Sequence, residues 1–401
     1  MIDSVKNENN FSKQPTAVEK TDVLIVGAGI VGLAHAAQAL DAGYSVTVID
    51  RDHQAVGASV RNFGHCCITA QSGELYEIAQ NGRGLWLDYA QRAGFWAVES
   101  GAVVVASTET ELQVLRELSG EREAGQVELL SAQQVAAHLG RSGTEGILGG
   151  ARLRDDLRVD PRTTVATLAA WIDAQPRGQV LFNTSALGFD AGEEARAVVN
   201  TSRGRIAADQ VFVCVGHDVD YLFPQLAADH QIRRCALQMA RSEAKPELDL
   251  SPAILTATSM LRYEAFTLVP SAAKLREEVA ARSPQLLAAE ANIMFTQRPD
   301  GSLLLGDSHT YELTQTPFLN EKTSSHLLEA IEEILGAGQL DIAERWQGIY
   351  ASSAVGPLLV ADVADGVTVV SVTAGVGMTL SFGLAQRNVA QRLTDSRQLA
   401  Y

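Results

Sequence analysis

The sequence is most easily placed by what it has little of. Its 401 residues include four cysteines, Cys66, Cys67, Cys214 and Cys235. Two are adjacent, but none are in a CxxC spacing, so neither a disulfide framework nor a zinc site is indicated, and reduced thiols in the cytoplasm are expected. Positive charge is scarce: 32 Lys and Arg stand against 48 Asp and Glu, a net charge of -16. Nucleic acid or an anionic membrane would be repelled by such a surface, and no local basic patch offsets the imbalance. Residues 1–20 are polar, with Asn-Glu-Asn-Asn at 7–10 and no apolar core. They are expected to be a disordered lead-in rather than a signal peptide or a membrane span. Internal repeats and low-complexity tracts are missing too. What remains, 46% apolar and 20% charged residues, suits a soluble globular protein of two or three domains.

The most informative stretch runs from Asp22 to Arg51 and predicts strand, glycine turn, helix, strand. Val23 to Val26 is the continuous apolar run of a parallel strand buried on both faces, and Gly27-x-Gly29-x-x-Gly32 follows directly. Gly27 permits a tight turn, Gly29 lets backbone approach a pyrophosphate, and Gly32 lets the helix lie close to the strand. The helix N-terminus offers free N–H groups and a positive dipole end to a diphosphate. Val46 to Ile49 forms the second strand, and Asp50 follows at the distance where a carboxylate accepts hydrogen bonds from an adenosine ribose. Together these features predict a dinucleotide-binding βαβ unit.

Further along, residues 51–67 read as a loop returning across the cofactor, and helical spacing appears over 74–94 and 109–118, with a strand at Ala102 to Ala106. Ser131 and Gln134 make a capping-box pattern, and Asp160-Pro161 opens a helix whose buried stripe is Val165, Leu168, Ala169 and Ile172. Val211 to Gly216 is a buried strand whose terminal Gly216 allows a ligand close. Strand-like segments then succeed one another: Cys235 to Ala240, Ile254 to Met260, Arg262 to Leu268, Asn292 to Gln297 and Ser302 to Gly306, with a turn at Arg298-Pro299-Asp300-Gly301. An antiparallel sheet is expected from them. A helix over 324–335, a strand at Thr368 to Val372 and a C-terminal helix complete the chain. Gly375 and Gly377 before that last helix repeat the phosphate-loop logic of the N-terminus.

This order of motifs resembles the flavin amine oxidoreductases of the D-amino-acid oxidase, glycine oxidase and sarcosine oxidase superfamily. The resemblance spans nearly the whole chain. It rests on the Gly27 fingerprint with Asp50, the small-residue loop from Ser59 to Gly64, the Val211 to Gly216 strand, the Gly301 to Asp307 hairpin and the Gly375-x-Gly377-Met378-Thr379 turn. It implies an α/β fold, a Rossmann-type FAD-binding domain with an inserted α+β substrate domain built on an antiparallel sheet. The FAD-binding part would comprise residues 21–75, 155–230 and 345–401, and the substrate-binding part 76–154 and 231–344. Cofactor contacts are implied for Gly27, Gly29, Ile30, Gly32, Asp50, Arg51, Ser59, Asn62, Phe63, Gly64, Gly216, Gly375, Gly377, Met378 and Thr379. Arg61-Asn62-Phe63-Gly64, Leu261-Arg262-Tyr263, Gly306-Asp307-Ser308-His309 and Gly377 to Gly383 look like a bacterial subgroup associated with aminophosphonate breakdown. Two departures bear on the cofactor. The run Trp346 to Ser353 lacks the cysteine through which sarcosine oxidases attach flavin, so noncovalent FAD is expected, and Val376 stands where the family often has histidine.

Family substrates carry an anionic group, which calls for a guanidinium, since its planar fork holds carboxylate or phosphonate by two bonds. Arg61, in the flavin-facing loop, and Arg262, expected on a strand beside Tyr263, are the candidates. His309, just past the Gly306 strand end, matches roughly where sarcosine oxidases place a histidine near substrate. His35 and the four tryptophans are expected to pack in the core. The expected activity is oxidation of a small anionic amine, with O2 or another carrier as electron acceptor. A glycine, sarcosine or D-amino-acid oxidase is the enzymatic alternative, and a non-catalytic or RNA-modifying flavoprotein is the alternative of another class, disfavoured by the acidic surface.

Overall fold

A computed structural model describes residues 19–192, 195–245 and 247–398 of the chain. The expected lead-in lies outside these residues except for Glu19 and Lys20, which open the first strand, Glu19–Val26. Val23, Leu24 and Ile25 of that strand are fully buried, as a two-sided apolar run requires. The strand pairs in parallel with Val46–Ile49 on one side and with Gly204–Val213 on the other. Gly178–Leu181 extends the parallel set beyond Val46–Ile49, and Val367–Val372 joins Gly204–Val213 in parallel. Gly178–Leu181 is one edge of the eight-stranded sheet; on the other side Gly204–Val213 pairs with two strands at different levels, Ala197–Thr201 followed by Ala186–Ala191, and Val367–Val372 followed by Leu358–Ala364, both outer pairs being antiparallel.

A nine-stranded sheet forms the second layer system. Its pairings are antiparallel except where Ala253–Leu255 runs parallel to Ala102–Ala106. Its longest strands, Arg233–Ser242 and Ile342–Ser352, pair along nearly their whole length. Residues 345–352, expected with the nucleotide-binding segment, therefore belong to this second sheet. The isolated bridge between Ser352 and Ala374 returns the chain toward the last helix.

The strands expected over Ile254 to Met260 and Arg262 to Leu268 are replaced by one short strand, Ala253–Leu255, and two short helices, Ala257–Met260 and Glu264–Thr267. Arg262 and Tyr263 therefore sit in the turn between helices and not on a strand. The cause is local hydrogen bonding. The Thr256 amide donates to Ser259 Oγ at 3.3 Å, and Ser259 Oγ donates to Asn292 at 2.7 Å. Such side-chain bonds favour helix starts over a ladder. Ala257, Met260, Ala265 and Phe266 then bury themselves in one cluster. The other expected elements are present, including the Ser131 capping box, the helix Pro161–Asp173 capped by Asp160, and the turn before Ser302.

The dinucleotide helix, Ile30–Asp41, packs with Gly73–Ala93 and Gly377–Gln398 on one face of the parallel sheet. Gly82 and Gly383 make the last two helices meet backbone to backbone, since a Cβ at Gly383 would stand 1.9 Å from the Ile78 carbonyl oxygen. Among the described residues no helix is long and apolar enough to cross a membrane. Phe382 lies fully buried, stacked on Tyr89 with ring centres 4.8 Å apart and edge-on to Trp86 at 4.7 Å. Phe382→Ala removes that ring from a packed interior and is expected to cost about 3–5 kcal/mol. A denaturant midpoint equal to that of the wild type would contradict this packing.

Candidate active site

One cavity of about 580 Å³ runs between the two sheets. At one end stand Gly27, Gly29 and Ile30, at the start of the dinucleotide helix, and deeper in it Gly375, Gly377 and Met378, at the start of the last helix. Two helix N-termini, with their positive dipole ends, thus face one space. Gly27 has φ +107°, and a Cβ there would meet the Cys214 carbonyl oxygen at 2.5 Å. A Cβ at Gly32 would be 2.0 Å from the Gly27 carbonyl oxygen. Gly32 accordingly sits outside the cavity and sets how closely helix and strand approach.

Asp50 lines the cavity and is already bonded to backbone: Oδ2 accepts from the Ala28 amide at 2.7 Å and Oδ1 from the Asp52 amide at 2.9 Å. Each oxygen keeps a lone pair for a hydroxyl. Ser59 Oγ accepts from the Ile30 amide at 2.9 Å, fastening the loop over the helix start. Asn62 holds the loop's own turn, donating to the Ala58 and Ser59 carbonyls and accepting from the Gly64 amide. Phe63 lines the cavity, whereas Gly64 is packed against the Val159 carbonyl outside it. Arg51 also borders the cavity, but its guanidinium pairs with Asp218 at 2.7 Å, two residues after Gly216, and so ties the two loops at that end together. Thr379 does not line the space. Its hydroxyl accepts from the Cys67 amide in the interior.

The other end of the cavity is lined by Arg262, Tyr263, His309, Asp307, Asn292 and Tyr350. Arg262 Nη2 donates to the Tyr350 hydroxyl at 2.7 Å, and a Cβ on Gly375, where φ is +73°, would touch both Tyr350 and Arg262. The glycine therefore permits the guanidinium to reach over the last helix's start. Burial opposes the charge of Arg262, but Tyr350, Asp307 and Tyr263 around it outweigh that and raise its pKa. Arg61 lines the cavity too, with Nη1 donating to the Gln347 carbonyl at 3.0 Å. His309 is buried, and its Nδ1 bonds the Glu290 carbonyl at 2.7 Å. Burial, helped by Arg262, pushes its pKa well down, so the ring is neutral. Burial raises the Tyr263 phenol well above its usual range.

His65, Cys67 and Asp156 bring ligand-type atoms within 4.8 Å of one another in the interior. Their existing bonds account for them differently: His65 Nε2 bonds Asp156 Oδ2 at 2.8 Å, Asp156 Oδ1 accepts from the Thr69 amide, and burial pushes the Cys67 thiol up, away from the thiolate that binds metal. His35 is buried, bonded to the Val31 carbonyl and Asn388, and lowered by burial to about 4, which fits a packing role.

Asp307, Asn292 and Tyr350 are among the lining residues that sequence reasoning passed over. The signal for Asp307 was its place two residues before His309, and for Tyr350 its place in the Trp346 to Ser353 run.

The cavity, its glycine approaches and its two helix N-termini fit an elongated diphosphate cofactor with an electron-rich ring at the far end. The family model described as DAO, FAD dependent oxidoreductase, matches residues 22–391, and the chain belongs to that family. It is an FAD-dependent oxidoreductase. Its sequence is 27% identical over 226 residues to a glycerol 3-phosphate oxidase of Mycoplasma pneumoniae, covering 53% of this chain and 58% of that protein, so little more than half of that relative is matched. In fold it is similar to a glycine oxidase from Geobacillus kaustophilus, with TM-score 0.73, 18% identity and 94% and 95% of the two chains covered. An L-alpha-glycerophosphate oxidase from Mycoplasma pneumoniae, a structure with FAD bound, gives TM-score 0.70 and 17% identity over 93% and 95%.

Because the Trp346 to Ser353 run carries no cysteine, the purified protein should be yellow and release FAD into the supernatant on acid precipitation. Flavin retained in the pellet would count against noncovalent binding.

Proposed function

We propose that this enzyme oxidises a small primary or secondary amine bearing an anionic group, giving an imine that water hydrolyses to an aldehyde and an amine. An N-alkyl aminophosphonate such as N-methyl-2-aminoethylphosphonate is the favoured substrate. The observation that carries the reading is Arg262, a guanidinium facing the cavity at the flavin end, bonded to a phenol and within 4.0 Å of no carboxylate among the described residues. A secluded arginine with no carboxylate in ion-pair contact is suited to an acid supplied by the substrate. Arg61 ranks second, because part of its fork is engaged by the Gln347 carbonyl.

The bound FAD supplies the hydride acceptor, and the chain's task is placement: Arg262 fixes the anionic head, and the lining of Tyr263 and Tyr350 excludes water from around it. The names of the similar proteins bear on both ends of such a substrate, glycine oxidase on an amine beside a carboxylate and glycerol 3-phosphate oxidase on a phosphate group. A glycine, sarcosine or D-amino-acid oxidase is the second reading, and the same arginine would serve it by holding a carboxylate.

The test is an anaerobic flavin-bleaching screen over amines, amino acids and aminophosphonates, repeated on Arg262→Met and Arg61→Met. Arg262→Met should retain FAD and its visible spectrum while losing about 2–5 kcal/mol of transition-state binding, tens to thousands-fold in kcat/KM, for the anionic amine. A neutral amine of the same length should suffer less. If both variants oxidise anionic and neutral amines in the wild-type ratio, neither arginine reads the head group.

A further inference from the structure

Asp307 is buried against the same end of the cavity, and its environment is incomplete. Its backbone is clamped by reciprocal bonds with Asn292, each 2.8 Å, which fixes where the side chain points. Its Oδ1 is buried without any hydrogen-bond partner. His309 Nε2 stands 3.9 Å from it. His309 Nδ1 is spent as a donor, because the Glu290 carbonyl opposite it only accepts. In the neutral ring Nε2 is then a bare lone pair. Two acceptors thus stand 3.9 Å apart on residues that line the cavity, with no donor bonded to Oδ1, and a buried acceptor left unmatched is costly.

We propose that the Asp307 carboxylate and His309 Nε2 together receive the ammonium group of the substrate, and that Asp307 is the base that takes its proton. This rests on the reading of Arg262 as the anion-holding group and extends it: the site would recognise a zwitterion, anion to Arg262 and ammonium to Asp307. An ammonium with at least two N–H bonds satisfies both acceptors, so the substrate class is a primary or secondary amine and not a tertiary one. In the step, one ammonium N–H bond breaks and an O–H bond forms on Asp307. The freed lone pair would then be available to form the C=N bond, and FAD, when bound, would supply the two-electron acceptor for the hydride of the neighbouring C–H. The substrate is oxidised by two electrons, and O2 or another carrier removes them from the enzyme.

Charged and titratable groups around Asp307 come from several elements: Arg262 and Tyr263 from the turn between helices, His309 from its own segment and Cys235 from the long neighbouring strand. Burial outweighs the pull of Arg262 and the bond from Asn292, so the Asp307 carboxyl is pushed up to about 7. Its ionised, proton-accepting form is therefore present above that pH and lost below it.

The test uses two probes on the FAD-loaded enzyme, read by the change they cause in the flavin spectrum. 2-Aminoisobutyrate is a zwitterion with no C–H bond to lose, and pivalate replaces its ammonium with methyl. In the wild type, affinity for 2-aminoisobutyrate should rise with pH through about 7, while affinity for the anion pivalate should fall as Asp307 ionises beside it. Asp307→Asn should abolish both slopes and lower the preference for 2-aminoisobutyrate over pivalate by about tenfold or more. With an oxidisable substrate at pH 7 it should lose on the order of a hundredfold in kcat/KM and recover it as the amine deprotonates at higher pH. Parallel pH slopes for the two probes in the wild type, equal binding of both, or binding of neither would overturn the assignment, and these need no variant. An Asp307→Asn enzyme that keeps its FAD and the wild-type preference would also overturn it. Loss of both probes alike in Arg262→Met upholds the anion site independently. Unchanged binding there would instead fault the arginine reading, whatever Asp307 does.

Discussion

The nucleotide half of the molecule depends on one backbone approach. Gly32 lies against the Gly27 carbonyl, and Gly27 against the Cys214 carbonyl at the end of the neighbouring strand. No side chain fits at either place, so the first helix is drawn down onto the sheet with its N-terminus at the sheet's edge. Everything that meets the phosphates follows from that placement. Asp50 can reach the Ala28 amide, and Ser59 the Ile30 amide, only because the helix start is where these glycines put it.

At the opposite end the governing constraint is electrostatic. Arg262, Asp307 and His309 share a region poor in water, where an unmatched charge or lone pair is far more costly than on a surface. The chain satisfies the group partly, with Tyr350 on the guanidinium and Glu290 on the imidazole, and leaves two acceptors and one charge open. Stability alone would not select such an arrangement, and incomplete pairing around a cavity is what ligand recognition requires.

Much of this was legible in the sequence, for reasons that differ by residue. The Gly27 motif, the 23–26 strand and Asp50 are readable because geometry there admits almost no other residue types. The cap at Asp160 and the turn at Gly301 were equally plain, being set by neighbours in sequence. Residues 254–268 misled because β-branched and apolar residues in alternation suit a strand, while Thr256 and Ser259 bond locally and their tertiary neighbours favour helix. Asp307 and Tyr350 escaped notice because their meaning is a matter of who faces them, and Arg262, which acts on both, belongs to a distant segment of the chain, 88 residues from Tyr350. Thr379 was placed in the right neighbourhood but turns its hydroxyl to the interior, a distinction of side-chain direction that motif order does not encode.

The bridge from Ser352 to Ala374 joins the last strand of the second sheet to the glycine turn of the final helix. Tyr350, and through it Arg262, is thereby located relative to Gly375 by main-chain pairing. Side chains lining the remainder of that wall carry no part of this alignment. Selection can exchange them to suit other substrates while the main-chain geometry stays as it was, so a lineage with this architecture can diversify its diet without rebuilding its frame.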